Sequence, residues 1–517
     1  MSEKNKFLIP IGVSLVFILG LIGGYVFHPD VPAGRSQKLE EILSLLDKNY
    51  VDTINKEEVF IGSIQEMLHQ LDPHSRYITR ESLAQENESI NGSFGGIGVR
   101  FQLIRDTICI THVIDNAPAR TSGVLSGDKI VAINGKSFVG KTVTNEKIMK
   151  NLKGEMGTQV SVTLYRNHSK KEVTITRDQI PVATILAAYM IQPNTGFIKI
   201  EQFSVPTADE FHIAAQKLVG QGMTKLILDL RGNPGGVLEC ATKIADEFIK
   251  PGKTILTTKG KNVGTEVIKS TDFGILENME LVVLIDQGSA SASEILAGAL
   301  QDNDRGTILG RRSYGKGLVQ QDKILADGSS VRMTIARYYT PSGRCIQREY
   351  NGDYQAYLRD EERYEKGALF HEETQKNDPK QRFKTVKGKT VYGGGGISPD
   401  VFIPLDTAFN YFYYQNYNVN EAISSFGFDY LQNNRKKWNK ISDLKRLEIN
   451  AQMMLQFQAY AKKNNQMNMD AAAWLKFSPH LKHRIKEEIA RQLFQEEGYY
   501  EVANEYDQEV QKALKIR

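Results

Sequence analysis

The sequence predicts a multidomain α/β protein. It has a core with a mainly parallel sheet and covering helices, a smaller β-rich domain ahead of it, helical segments at both ends and one N-terminal transmembrane helix. Three observations carry that prediction. At 517 residues the chain exceeds what one hydrophobic core accommodates, so several units are expected. Its middle alternates strand-like apolar runs with amphipathic helical ones, the pattern of a parallel sheet covered on both faces. Its first apolar run, Phe7 to Phe27, is 21 residues without a charge. At about 1.5 Å per residue such a helix spans roughly the 30 Å hydrocarbon core of a bilayer.

Lys4 and Lys6 precede this run while Pro29, Asp30 and Pro32 follow it. The positive-inside tendency therefore leaves the tip in the cytoplasm and the body outside. Val31-Pro32-Ala33 has the small-residue character of a cleavage site, but the run exceeds the roughly 7 to 15 residues of a secretory h-region. Residues 1–30 are thus read as a tip and an uncleaved signal anchor.

Residues 36–92 read as helical, with apolar positions Leu39, Ile42, Leu43 and Leu46 and then Val59, Ile61, Ile64, Met67, Leu68 and Leu71 on a 3.6-residue period. They predict an amphipathic pair packed on a core. Residues 93–178 change to short β-branched runs, Thr107 to Val113, Lys129 to Ile133 and Gln159 to Tyr165, punctuated by Gly and Asn-Gly turns. Residues 179–405 alternate strands at 196–200, 225–230 and 281–285 with helices at 209–219, 238–248 and 293–301. Within that span, Asn351 to Lys389 is dense in charge and reads as a surface insertion. Residues 406–517 return to helical composition and hold Trp438 and Trp474, both expected in a core. Helical packing, oligomerisation into a homo-oligomer and partner docking all stay open for this region.

Composition excludes some functions. The 65 basic and 61 acidic residues nearly cancel at +4, with no basic run interleaved with aromatics, so nucleic acid is not the expected partner. Cys109, Cys240 and Cys345 are odd in number and widely spaced, which suits buried small hydrophobes rather than a disulfide framework. No H-E-x-x-H spacing or similar metal pattern occurs, and no cofactor is expected.

Active sites of parallel sheets lie at the carboxyl ends of strands, and two strand ends run into unusual loops. In Leu228 to Gly236 the glycines let backbone N–H groups turn toward a developing negative charge. In Asp286 to Glu294 a serine sits at a helix start, beside unpaired N–H groups and the positive end of the helix dipole. Ser291-Ala-Ser-Glu294 also fits a capping box, and Ser289 and Ser293 rival Ser291 as nucleophile. A third segment, Tyr314 to Gln320, projects Lys316 and Gln320 to one face if extended. A lysine acts as a base only when neutral, which burial achieves, and Ser-Lys pairs are a known variant of the serine triad. A solvated surface lysine is the plain alternative. His74, inside Asp-Pro-His-Ser, reads as a turn residue rather than a triad member, and Asp229 and Arg231 read as a lock for the glycine loop.

Taken together, LDPHSRYI, LDLRGNPGG, GSASASEILAGALQD, GKGLVQ, YYTPSGRCIQ and GGGGISPD, in that order between Leu71 and Asp400, resemble the carboxyl-terminal processing peptidases of serine peptidase family S41. The resemblance implies a core related to the crotonase fold, with Ser291 as nucleophile, Lys316 as general base and Gln320 assisting it. It also implies an oxyanion hole from Ala292 and from Gly235 or Gly236. Phe94 to Val99, with Leu125 to Gly135 after it, resembles a PDZ domain, whose carboxylate-binding loop would fall on Gly95, Gly96, Ile97 and Gly98. The implied partners are proteins or peptides with exposed C-terminal tails. The implied location is a bacterial cell envelope, anchored in the inner membrane, and periplasmic if the cell is Gram-negative. An anchored PDZ scaffold without turnover and an acyl-thioester enzyme of crotonase type are the competing readings; the second explains neither Lys316 nor an export signal.

Overall fold

The computed structural model of the chain describes residues 33–365, 367–372, 379–406, 418–465, 467 and 469–516. The expected membrane-spanning run, Phe7 to Phe27, lies outside them. Among the described residues no helix is long and apolar enough to cross a membrane. The chain divides into two units, residues 1–71 and 72–517.

In the first unit lie α1 (Ala33–Asn49) and α2 (Lys56–His69). Asn55 caps α2, accepting from the N–H groups of Glu57 at 3.1 Å and Glu58 at 3.4 Å, and those two acids suit the positive end of the helix. The expectation of a core-packed pair is corrected here: Leu68 is buried, but Leu39, Ile42, Met67 and Leu71 are exposed. Periodicity locates an apolar stripe without saying what covers it.

The second unit starts with β1 (Arg76–Ile78) and α3 (Arg80–Asn91), which ends on Gly92 at φ 67°. Next come β2 (Ser93–Gly96), β3 (Val99–Ile104), β4 (Thr107–Val113), α4 (Pro118–Thr121), β5 (Lys129–Ile133), β6 (Lys136–Ser137), α5 (Asn145–Leu152), β7 (Gln159–Arg166), β8 (Ser169–Thr176) and β9 (Asp178–Pro181). Strands β3, β4, β5, β7 and β8 form an antiparallel sheet around Ile108, Ile110, Ile130, Ile148 and Val162, all fully buried. The Gly-Asp-Lys-Ile string has a physical reason. Asp128, 1% exposed, accepts from the Leu125 N–H at 2.8 Å and takes Arg166 on both oxygens at 2.6 and 2.7 Å. Strands β2 and β9 pair with each other, so the chain enters and leaves this domain through a two-stranded neck.

The core follows: β10 (Ile185–Gln192), β11 (Thr195–Ile200), α6 (Thr207–Gly220), β12 (Lys225–Asp229), α7 (Leu238–Asp246), β13 (Thr254–Gly260), β14 (Gly264–Lys269), β15 (Glu280–Ile285), α8 (Ala292–Asp302), β16 (Thr307–Gly310), β17 (Leu318–Ile324) and β18 (Ser330–Tyr339). One sheet runs β10-β11-β12-β15-β16 and ends on a short strand, Val401–Phe402; all its pairs are parallel except β10 with β11. Alternation sends Ile198, Leu228, Val283 and Ile285 to one face, against Phe211, Ile244 and Leu296 of the three helices. Phe197, Ile227, Val282 and Leu284 face the other way. A second, antiparallel sheet joins β1, β18, β13 and β14, with β17 paired to β18. The stretch read as a surface insertion carries two short helices, α9 (Tyr354–Arg359) and α10 (Glu361–Glu365), and buries Tyr357 and Arg363.

The C-terminal region is helical as expected: α11 (Val419–Asn434), α12 (Ile441–Leu444), α13 (Ala451–Asn465), α14 (Ala471–Ala503, kinked at Phe494 and Gln495) and α15 (Gln508–Lys515). Its own core holds Trp474, with Trp438 packed against it. Two contacts give it a place. Phe428, fully buried, packs on Ile104 and Cys109 of the β-rich domain, beside Arg105–Asp429 and Arg100–Glu496 ion pairs. Val510 and Ala513 of α15 cover Ile227 and Leu284 on the second face of the six-stranded sheet.

Candidate active site

Strands β12, β15 and β16 are neighbours and parallel, so the loops leaving their carboxyl ends converge. These are the glycine loop (230–236), the serine loop (286–291) and the lysine loop (311–317). Asn233 ties the first two: its carbonyl accepts from the Ala290 N–H and the Ser293 hydroxyl, both at 3.0 Å, while its side-chain amide donates to Ile200 O at 3.1 Å. Asp286 Oδ1 accepts from the Gly232 N–H at 2.8 Å.

The three serines of the second loop separate. Ser289 is fully buried and its hydroxyl donates to Leu230 O at 2.8 Å; Ser293 is fully buried on Asn233 O. Both hydroxyls hold the loop. Ser291 is half-buried at the N-cap of α8, with φ 52° and ψ −112°. A non-glycine residue in such a conformation stores on the order of 1–3 kcal/mol, and strain of this kind collects at functional sites.

Glu294, read from the sequence as half of a capping box, does more than cap. Its Oε2 accepts from the N–H groups of Ser291 and Lys316, each at 2.9 Å; its Oε1 accepts from the Gly315 N–H at 2.7 Å and the Ser313 hydroxyl at 2.6 Å. One fully buried carboxylate therefore fixes the serine and lysine loops together. Burial raises its pKa, and the four donors act in the opposite direction. The Tyr338 hydroxyl adds a second tie, 3.2 Å from Ser291 O and 2.7 Å from Lys316 O.

The Lys316 ammonium is desolvated by burial and repelled by Arg332 and Arg76, which together bring its pKa down to about 8 against the pull of Glu294 and Asp72. Its Nζ donates to Gln320 Oε1 at 2.8 Å, and Gln320 Nε2 donates to the His74 carbonyl at 2.7 Å. The meeting of residues 316 and 320 does not follow simple alternation, because β17 begins at Leu318 and its register shifts between Val319 and Gln320. His74 is delivered by a turn in which Asp72 Oδ1 accepts from the N–H groups of His74 and Ser75, both at 2.8 Å. Its ring lies 3.1 Å from the Tyr357 hydroxyl, and burial with Lys316 nearby holds its pKa down to about 3. It is a neutral wall of the site whose backbone carbonyl holds the Gln320 amide.

The two glycines part as well. A Cβ on Gly235 (φ 98°) would lie 2.7 Å from Ser291 Cβ and 2.9 Å from Ala292 N, so only glycine fits against the serine. The Gly235 N–H donates to Asn233 Oδ1 at 2.9 Å. Gly236 sits in a parallel bridge with Phe203 that uses Gly235 O and the Val237 N–H. That pairing turns the N–H of Gly236 itself away from Phe203. Ala292 N opens α8, where helical N–H groups have no partner within the helix.

Arg231 does lock the loop: it grips Asp229 with Nε and Nη2, and Arg231 and Lys199 outweigh the burial of Asp229 to bring its pKa down to about 2. Of the four residues expected in the carboxylate-binding loop, Gly95 and Gly96 lie in β2, paired with Gln179 and Asp178. Ile97 and Gly98 form the turn; Gly98 (φ 77°) has room for no Cβ, which would meet Ala117 Cβ at 2.2 Å. Among the described residues no group of His, Cys, Asp or Glu is arranged to hold a metal ion.

Sequence reasoning did not find Glu294 as a bridge, Tyr357 beside His74, or the His74 carbonyl. The S-x-x-E and D-P-H-S strings signalled the first and third, but only as local caps and turns.

Comparison with known proteins agrees with this architecture. Residues 194–355 match Peptidase family S41, residues 95–176 match the PDZ domain, and residues 413–495 match a family of unknown function, DUF8443. A protein of Staphylococcus aureus (strain MRSA252) described as a "Probable CtpA-like serine protease" is 33% identical over 347 residues, 65% of this chain and 69% of that one. One of the same description from Staphylococcus epidermidis is 34% identical over 314 residues, 60% and 63% of the two chains. Among solved structures, the photosystem II D1 C-terminal processing protease is 24% identical, with 71% of this chain and 88% of that one covered at a TM-score of 0.35. The chain belongs to peptidase family S41, as a serine-type carboxyl-terminal processing peptidase with a PDZ domain.

Proposed function

We propose that the protein cleaves the C-terminal tails of exported proteins with a Ser291–Lys316 dyad, after the PDZ domain has captured the tail. The observation that carries this reading is the hydrogen bond from Lys316 Nζ to Gln320 Oε1 beside a carboxylate that ties Lys316 to Ser291. A neutral lysine amine has one lone pair; donating one N–H to Gln320 aims it. The lone pair takes the Ser291 hydroxyl proton as Oγ attacks the scissile carbonyl carbon. The tetrahedral oxyanion is met by the N–H of Ala292 and one from the glycine loop, for which the free direction of Gly236 makes it the better donor than Gly235. Lys316 returns the proton to the departing amine, leaving an acyl-enzyme. A water, deprotonated by the same amine, then releases the acyl group.

In this reading the turn at Ile97 and Gly98 offers backbone N–H groups to the terminal carboxylate of the tail, which adds as a strand to the PDZ sheet. Residues 1–30 anchor the chain in the inner membrane of a bacterium with the catalytic unit outside the cytoplasm, so that exported proteins are the substrates. Ser291→Ala and Lys316→Ala should each abolish cleavage of a tailed peptide with circular dichroism unchanged. Retained cleavage in either variant sinks the dyad; retained tail binding with no turnover in the parent protein would favour the scaffold reading.

A further inference from the structure

The three loops share a support that proton transfer does not use. Arg231 follows β12 and belongs to the glycine loop; Arg311 follows β16 and opens the lysine loop. Glu509, in the first turn of α15, takes one arginine on each carboxylate oxygen: Arg231 Nη1 lies 3.0 Å from Oε2, and Arg311 Nη1 pairs with Oε1. Each arginine has a second hold. Arg231 is clasped by Asp229 and by Asp507 at 2.9 Å, and Arg311 Nε donates to Gln287 Oε1 in the serine loop at 3.1 Å. Glu509 thus sits at the root of the glycine, serine and lysine loops.

The carboxylate is itself held. Asp507 caps α15 by accepting from the N–H groups of Glu509 at 2.9 Å and Val510 at 3.0 Å, and Lys225 Nζ donates to Ala513 O at 2.8 Å. The Arg311 and Glu509 side chains are 7% and 9% exposed. A buried charge left without its partner is strongly unfavourable, so removing the carboxylate strands Arg311, whose ion pair is with Glu509, while Arg231 keeps Asp229 and Asp507 and loses its link to Arg311.

We propose that Glu509 is a positioning residue for peptide hydrolysis, holding Arg231 and Arg311, and through them the three site loops, in one frame. This rests on the Ser291–Lys316 reading. It assigns the end of the C-terminal helical region to the reaction rather than to packing alone, since a misplacement of about 1 Å at a reacting group costs up to about 10²-fold in rate.

The test uses the full chain and a tailed peptide. Glu509→Gln should lower kcat about tenfold with KM within twofold. Glu509→Asp keeps the charge but is one methylene short of spanning both arginines, carries the same expectation, and stands in if Glu509→Gln does not fold. Val510→Ala, which empties buried space on the same helix, should lower Tm at least as much while keeping kcat within twofold. Parental kcat in both Glu509 variants, or an equal loss of kcat in Val510→Ala, would overturn the inference. Ser291→Ala is assayed alongside: turnover there overturns the site reading beneath it, a failure distinguishable from a silent Glu509.

Discussion

Ser291 and Lys316 give their backbone N–H groups to the same atom, Glu294 Oε2, at 2.9 Å each. The residues are 25 apart in sequence and on different loops, and this buried carboxylate, with the Tyr338 hydroxyl, joins them. Glu294→Gln keeps the shape but turns an N–H₂ toward donors. We expect kcat to fall at least about 10²-fold and stability by about 1–3 kcal/mol, the cost of buried donors left unpaired. Steady-state kinetics with urea denaturation checks both, and a parental kcat would count against the bridge.

The pH dependence follows from the depressed Lys316 pKa, about 8 rather than 10.5. In the proposed dyad the neutral amine is the active form, and its fraction rises about tenfold per pH unit below 8 and levels off above. The kcat/KM profile should show one ascending limb bending near pH 8. Lys316→Arg, which stays protonated, should be inactive across the range.

Gln320 separates orientation from charge. Gln320→Leu removes the acceptor of the Lys316 N–H and should lower kcat about 10- to 100-fold with KM changed less than about threefold. Gln320→Glu places a negative charge against the amine and should move the ascending limb about 1–3 pH units to the alkaline side. A limb that stays in place would mean that residue 320 does not face the base.

Phe428 tests the attachment of the C-terminal helices to the PDZ sheet. It is fully buried against Ile104 and Cys109. Phe428→Ala should destabilise by about 3–5 kcal/mol if the site does not collapse. It should also expose the PDZ domain to limited proteolysis earlier than the catalytic core.

Much of this is legible in the sequence. Strand-to-loop transitions at Asp229 and Ile285 follow from apolar runs ending in glycine or serine, so the positions of the glycine and serine loops could be read directly, while the choice of Ser291 over Ser289 and Ser293 came only from the family resemblance. What stayed hidden depends on contacts distant in sequence. Glu294 looked like a cap because its partners at 313–316 lie on another loop. Tyr357 lies in a charged stretch that resembles a solvated insertion, yet it is buried against His74. Glu509 sits on an amphipathic helix whose charges look like a wet face until Arg231 and Arg311 are seen beneath it. The stripe on α1 and α2 shows the converse, an apolar pattern whose residues Leu39, Ile42, Met67 and Leu71 are exposed.

The central claim is that Ser291 carries the acyl group, and acid-quenching the enzyme during turnover of a tailed peptide, then mapping the covalent mass, addresses it directly. An adduct of the N-terminal product is expected on the peptide containing Ser291 and is expected to be absent from Ser291→Ala. An adduct on another residue, or continued turnover by Ser291→Ala, would contradict it.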